Sequence, residues 1–116
     1  MLVPELKHVD CIDHDPIERW IPETDAVLFW LTLHVGLPAH EAVDMFTVPV
    51  ANLAGMRSPE WNRRRQGSAE PIVVEPYSWH AVLEQVNGRL RRCAAHDWTS
   101  VWHGLRKEFA WEYEGM

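Results

Sequence analysis

The sequence predicts an α+β domain: an antiparallel sheet of about four to five strands with two C-terminal helices packed on one face. Three observations lead there. Val27, Phe29, Leu31, Leu33 and Val35 alternate without a break against Ala26, Leu28, Trp30, Thr32 and His34, the period-two pattern of a half-buried strand. After residue 78 the apolar spacing changes to three and four residues, the period of an amphipathic helix. Strands come first and helices last, and that order segregates helices to one side of a sheet.

Residues 3–9 read as a first, edge-type strand, with Pro4 tolerable at its start. Residues 10–24 form a loop punctuated by Pro16 and Pro22. The strong strand at 26–35 turns at Gly36-Leu37-Pro38 into a strand at 43–50, with Phe46, Val48 and Val50 on one face. The short connection makes these two antiparallel neighbours. Pro49 lacks a ladder donor, so this strand is expected to lie at an edge or to end there. Asn52 is placed to cap a short helical turn through Met56. Ser58 to Glu70 is polar and contains Pro59 and Gly67, the composition of a loop. A fourth strand is expected at Pro71 to Glu75.

Ser78 is the expected N-cap of a helix carrying Trp79, Val82, Leu83, Val86 and Leu90 inward. Asp97 caps a second, with Trp98, Val101, Trp102, Leu105 and Phe109 as its stripe. Arg89, Arg91 and Arg92 fall in the last turn of the first helix, and Arg106 and Lys107 in that of the second. Cations are electrostatically favoured at both places. Residues 1–116 form one domain, without repeats.

The 116 residues are 47% hydrophobic, which is too apolar for a disordered chain. No apolar run approaches the ~20 residues of a membrane helix. The first five residues lack the basic region and apolar core of a secretory signal. Cys11 and Cys93 form no closely spaced pair of the zinc or redox kind, so free thiols in a reducing cytoplasm are expected. The formal charge of −6 is unevenly spread: residues 1–56 sum to −7 and residues 57–116 to +1. Asp10, Asp13, Asp15, Glu18, Glu23 and Asp25 face only Arg19 along the sequence. Such a cluster costs folding free energy through self-repulsion, and it fits either a solvated loop or a surface for a basic partner. It would repel nucleic acid, and Arg63-Arg64-Arg65 has no interleaved stacking aromatics to recruit it.

Catalytic chemistry finds little support. The segment Asp10-Cys11-Ile12-Asp13-His14-Asp15 holds metal-ligand types but not the glycine of a calcium loop. His34, His40 and Glu41 lie across a turn rather than at the one-turn spacing of a zinc helix. Ser78 lacks the glycines of a nucleophile elbow. Arg91 and Arg92 are expected to lower the Cys93 pKa, with no His assignable as its base. No cofactor is expected. Of seven Trp residues, helix packing and the closing motif account for Trp79, Trp98, Trp102 and Trp111. Trp20 and Trp61 in polar loops, and Trp30 on the less buried strand face, are either tucked into the core or left as interface anchors.

The chain resembles the bacterial immunity proteins of polymorphic toxin systems, and among them the Immunity protein 8 family. The resemblance runs almost end to end. Glu5-Leu6-Lys7 leads into the loop with Asp13 and Asp15, which closes on Trp20-Ile21-Pro22-Glu23. Phe29 to Gly36 is similar to the family's long apolar strand, and Phe46, Val48 and Val50 to the next. Tyr77-Ser78-Trp79 resembles the step into the long helix. Trp98, Val101, Leu105 and Trp111-Glu112-Tyr113-Glu114 resemble the last helix and its closing motif. The chain departs at Ala51-Asn52-Leu53 and Gly55-Met56, where the family shows a Cys-Thr-Pro step and a Trp-Leu, and it stops soon after the closing motif.

The resemblance implies a cytoplasmic, non-enzymatic binding protein that neutralises a cognate toxin, commonly a nuclease or another intracellular enzyme. Asp10, Asp13, Asp15, Glu18, Glu23 and Asp25 are the expected toxin-facing charges, with Trp20 and Trp61 as anchors, in a monomer or weak homodimer without nucleic acid or membrane. Two other readings stand beside it. One is a small metal-dependent enzyme using the Asp13–Asp15 region with His34 or His40. The other is a homo-oligomer pairing through an edge strand.

Overall fold

The alternating strand is the centre of the structure, a computed structural model that describes residues 1–64 and 69–112. Strand β2 (Leu28–Gly36) pairs antiparallel with β1 (Glu5–Asp10) on one side and β3 (Asp44–Ala51) on the other. The five residues expected to point inward, Val27, Phe29, Leu31, Leu33 and Val35, are all buried. Phe46, Val48 and Val50 continue that face across β3. Because the side-chain period of a strand is two, this buried row fixes the register: a one-residue slip would carry it to solvent.

Two helices cover this face. Helix α3 (Trp79–Arg92) supplies Val82, Val86 and Leu90, and helix α4 (Trp98–Glu108) supplies Val101 and Leu105. Their N-caps are the residues the sequence marks. Ser78 Oγ accepts from the Ala81 N–H at 3.1 Å, and Asp97 Oδ1 from the Ser100 N–H at 2.8 Å. Trp79, Trp98, Trp102 and Trp111 are half-buried against the core, as their spacing predicts. The first residues are tied to the end of α3 through two backbone hydrogen bonds between Leu2 and Ala95, 2.7 and 3.0 Å.

Asn52 caps the short helix α1 (Leu53–Met56) and also clips it to β2. Its buried Oδ1 accepts from the N–H groups of Gly55 and Val27, at 2.8 and 2.9 Å. Its Nδ2 donates to the Asp25 carbonyl at 2.6 Å. A Cβ on Gly55 would lie 1.8 Å from the Val27 carbonyl oxygen, so this close approach of two backbones requires glycine.

The structure corrects three local expectations. First, β3 neither ends at Pro49 nor forms an edge. Its far side is shared by two short strands: β4 (Ile72–Val73) pairs in parallel with Val50 and Ala51, and β5 (Ala110–Trp111) pairs antiparallel with Phe46 and Thr47. Pro49 falls between them, where no partner asks for its missing N–H. Second, part of the stretch read as a loop is helix α2 (Pro59–Arg64). Pro59 at the first helical position suits the start of a helix, and Trp61 turns inward at 7% exposure. Arg65 and Gly67 of that stretch lie outside the described residues. Third, Arg89 is not simply a cation at a helix end. It is 7% exposed, and it donates to the carbonyls of Glu70, Pro71 and Glu108 at 2.9, 2.9 and 3.1 Å.

Candidate functional site

The acidic segment leaves β1 and crosses the sheet end to reach β2. A short 3-10 turn, Ile17–Arg19, interrupts it and buries Ile17 in the core. Trp20, the next residue, is half-buried. Its indole stacks on His14 at 3.9 Å and meets Phe29 and Tyr77 edge-to-face at 5.5 and 5.4 Å. One apolar residue and one aromatic stack therefore anchor an otherwise polar loop on the core.

The six carboxylates divide into two groups. Alternation along β1 puts His8 and Asp10 on the same face, and cross-strand pairing sets His34 opposite His8. Asp10 Oδ1 lies 2.8 Å from His8 Nε2, and Oδ2 lies 2.8 Å from His34 Nε2. The hydrogen bond with His34 is the main cause that holds the Asp10 carboxyl below the usual carboxylate range, and His8 adds to it. Asp13 is tied more firmly. It accepts from the Trp30 N–H at 3.2 Å, and it takes the Arg64 guanidinium through both oxygens, at 3.1 and 3.3 Å.

Asp15, Glu18, Glu23 and Asp25 form the second group. All four are exposed. None makes an ion pair among the described residues.

The remaining candidates are placed as follows. Trp30 lies under the Arg64 guanidinium, 4.4 Å from its ring centroid, and beside Trp61, with ring centroids 6.3 Å apart. Trp61 thus packs against the outer sheet face rather than standing in solvent. His34 is engaged by Asp10, while His40 and Glu41 are exposed on the turn after β2. Asp13, Asp15, His34 and His40 are not gathered at one point. Among the described residues, no three His, Cys, Asp or Glu side chains are placed to hold a metal ion.

Cys11 and Cys93 are both buried free thiols. Burial pushes the Cys93 thiol up to about 11, with Glu108 adding to the rise, and it also raises Cys11. The expected lowering by neighbouring arginines is outweighed, because desolvation of the thiolate exceeds what Arg92 returns.

Sequence reasoning missed two residues of this surface. Ile12 is 96% exposed and Ile21 is 78% exposed, both in the acidic segment. An isoleucine in a short sequence window reads as buried.

The Immunity protein 8 family model matches residues 4–116, essentially the whole chain. The protein belongs to that family. No curated protein and no solved structure matches the chain at a significant level. The match includes the segment read above as the closing motif, of which Tyr113 and Glu114 lie outside the described residues. Among the described residues, no helix is long and apolar enough to cross a membrane.

Proposed function

We propose that this immunity protein neutralises its toxin by direct, tight, one-to-one binding in the cytoplasm, as a monomer or weak homodimer, and that the acidic loop between β1 and β2 is the contact surface. The observation that carries this reading is the set of four exposed carboxylates, Asp15, Glu18, Glu23 and Asp25, without ion pairs among the described residues. Uncompensated like charges in one loop disfavour the isolated fold, and a basic partner relieves them. Asp10 and Asp13 add to the surface and also hold its platform in place. Trp20 supplies a half-buried aromatic at its centre, and Ile12 and Ile21 supply exposed aliphatic area, the mixture of apolar centre and polar rim found in protein interfaces. Trp61, beside Trp30 on the outer sheet face, is a second aromatic of this reading. A nuclease toxin, whose substrate groove is basic, is the partner chemistry this surface fits best. Blocking that groove requires no catalysis by the immunity protein and no cofactor.

The test is charge reversal at Asp15, Glu18 and Asp25, leaving the structurally engaged Asp13 intact. Binding to the toxin encoded immediately upstream is expected to lose about a hundredfold in association rate at low salt, with a flattened salt dependence. An unchanged rate and unchanged salt dependence would rule out the acidic loop as the contact.

A further inference from the structure

Beside the aromatic stack lies a solvent-open hollow of about 400 Å³, lined by His14, Trp20, Glu23, Thr24, Ala26 and Leu28. Its aromatic wall is fixed, because Trp20 is held by Phe29 and Tyr77 from the core side and by His14 in the loop. Ala26 and Leu28 give it apolar surface. The Thr24 hydroxyl is already used, donating to the Ala26 carbonyl at 3.2 Å. Glu23 is the one charged group in the lining, and it has no ion pair among the described residues.

These features select one ligand chemistry. An anion would meet Glu23 and the neighbouring Asp25 and be repelled. A purely apolar group would cover Glu23 and leave a desolvated carboxylate without a partner, which is costly. A cation on an aliphatic stem satisfies every part: the stem lies on Leu28 and Ala26, and the charge meets both the aromatic surface and the carboxylate. Arginine fits better than lysine, since its planar guanidinium both stacks on a ring and binds a carboxylate through two parallel hydrogen bonds.

We infer that the His14–Trp20–Glu23 hollow is a receptor for a single arginine side chain of the protein partner. This rests on the reading that the toxin meets the acidic loop, and it turns a diffuse attraction into a positional one. Ile12 lies two residues from His14, and Ile21 is next to Trp20, so the chain around that arginine would present apolar surface as well.

The probe is the blocked tripeptide Ac-Ala-Arg-Ala-NH2, compared with the same peptide carrying citrulline, which keeps the shape and loses the charge. In NMR titrations of the intact protein, the arginine peptide is expected to give saturable shifts at the Trp20 indole N–H and the Ala26 amide. Citrulline, or the substitution Glu23→Gln, should weaken the binding about fivefold. Equal responses to the two peptides, no saturable shift, or indifference to Glu23→Gln would overturn the receptor.

Two further outcomes separate this inference from the reading beneath it. If toxin affinity falls with charge reversal at Asp15 and Glu18 but ignores Glu23→Gln, the loop is the contact and the hollow is not a receptor. If the arginine peptide binds in a Glu23-dependent way while toxin affinity ignores both the charge reversals and Glu23→Gln, the loop reading falls and the assignment of that arginine to the toxin falls with it.

Discussion

The acidic loop and the arginine-rich end of α3 are two charged regions of this chain, and they use charge in opposite ways. Around α3, Arg89 and Arg92, together with Arg106 of α4, are consumed internally, while Arg91 is exposed. Arg89 closes three backbone carbonyls, Arg92 forks onto Glu108 with two contacts of 3.3 Å, and Arg106 lies over Trp102 and Trp111 at 4.9 and 5.6 Å. In the loop only Asp10 and Asp13 are tied down in this manner, and four carboxylates are left facing water. Charge that is hydrogen-bonded within the fold acts on stability. Charge without an internal partner acts on encounters. A count of acids and bases in the sequence cannot separate the two.

The comparison can be broken at either end, and the largest effect is expected at Arg89. Arg89→Met keeps the aliphatic stem but strands the carbonyls of Glu70, Pro71 and Glu108. A loss of about 3 kcal/mol is expected in urea denaturation, because buried acceptors are left without donors. A loss below about 0.5 kcal/mol would place Arg89 among the solvated charges and erase the contrast.

A smaller effect separates the carboxylates from one another. Asp13→Ala removes the acceptor of the Trp30 N–H and the Arg64 fork, and about 1 kcal/mol of stability should go with it. The double substitution of Asp15→Asn with Glu18→Gln should stay within about 0.5 kcal/mol of the parent, or stabilise it slightly by reducing repulsion. If the two variants denature alike, the division of the loop into tied and free carboxylates is wrong.

The smallest effect is at Asp10. Its carboxyl pKa is lowered in the fold, mainly by the hydrogen bond with His34. The stabilisation it brings is therefore present above the ordinary carboxylate range and lost as the pH falls through the lowered value. The group is well exposed, so the effect is modest. Asp10→Asn should flatten the acid limb of the stability–pH curve slightly, with a small loss of stability near neutral pH that vanishes in acid. An identical acid limb in parent and variant would show that the His8–Asp10–His34 cluster contributes nothing.

The large elements were legible because each carries its own periodicity. The buried row Val27 to Val35 dictates β2, and Ser78, Asp97 and Asn52 mark helix starts through local hydrogen bonding that needs no tertiary partner. Of the short elements, the strand at Ile72–Val73 falls within the expected Pro71 to Glu75, while Ala110–Trp111 and α2 were not legible, because contacts distant in sequence make them. Ile72–Val73 and Ala110–Trp111 are strands only because β3 presents free backbone to them. Helix α2 has few apolar residues and is fixed by burial of Trp61 against the outer sheet face. The location of the negative charge could be read directly from the sequence. Which carboxylates are bonded could not, since Arg64 lies 51 residues from Asp13 and His34 lies 24 from Asp10. The exposed aliphatics Ile12 and Ile21 ran against the ordinary hydrophobic rule, and such exceptions are expected where a surface is shaped for something other than folding.

The divided far side of β3 has a consequence for how the protein behaves at high concentration. A sheet margin made of one long strand offers a continuous row of backbone donors and acceptors, along which another molecule can align. Here, among the described residues, that margin is two pieces of two residues each, running in opposite directions, with Pro49 behind the gap between them. An incoming strand that matched the direction of β4 would oppose that of β5, and neither piece is long enough to hold it. The opposite margin, β1, carries a register shift between Leu6 and His8 that interrupts a regular ladder. Among the described residues, both margins of the sheet therefore lack the long regular ladder that edge-to-edge growth requires.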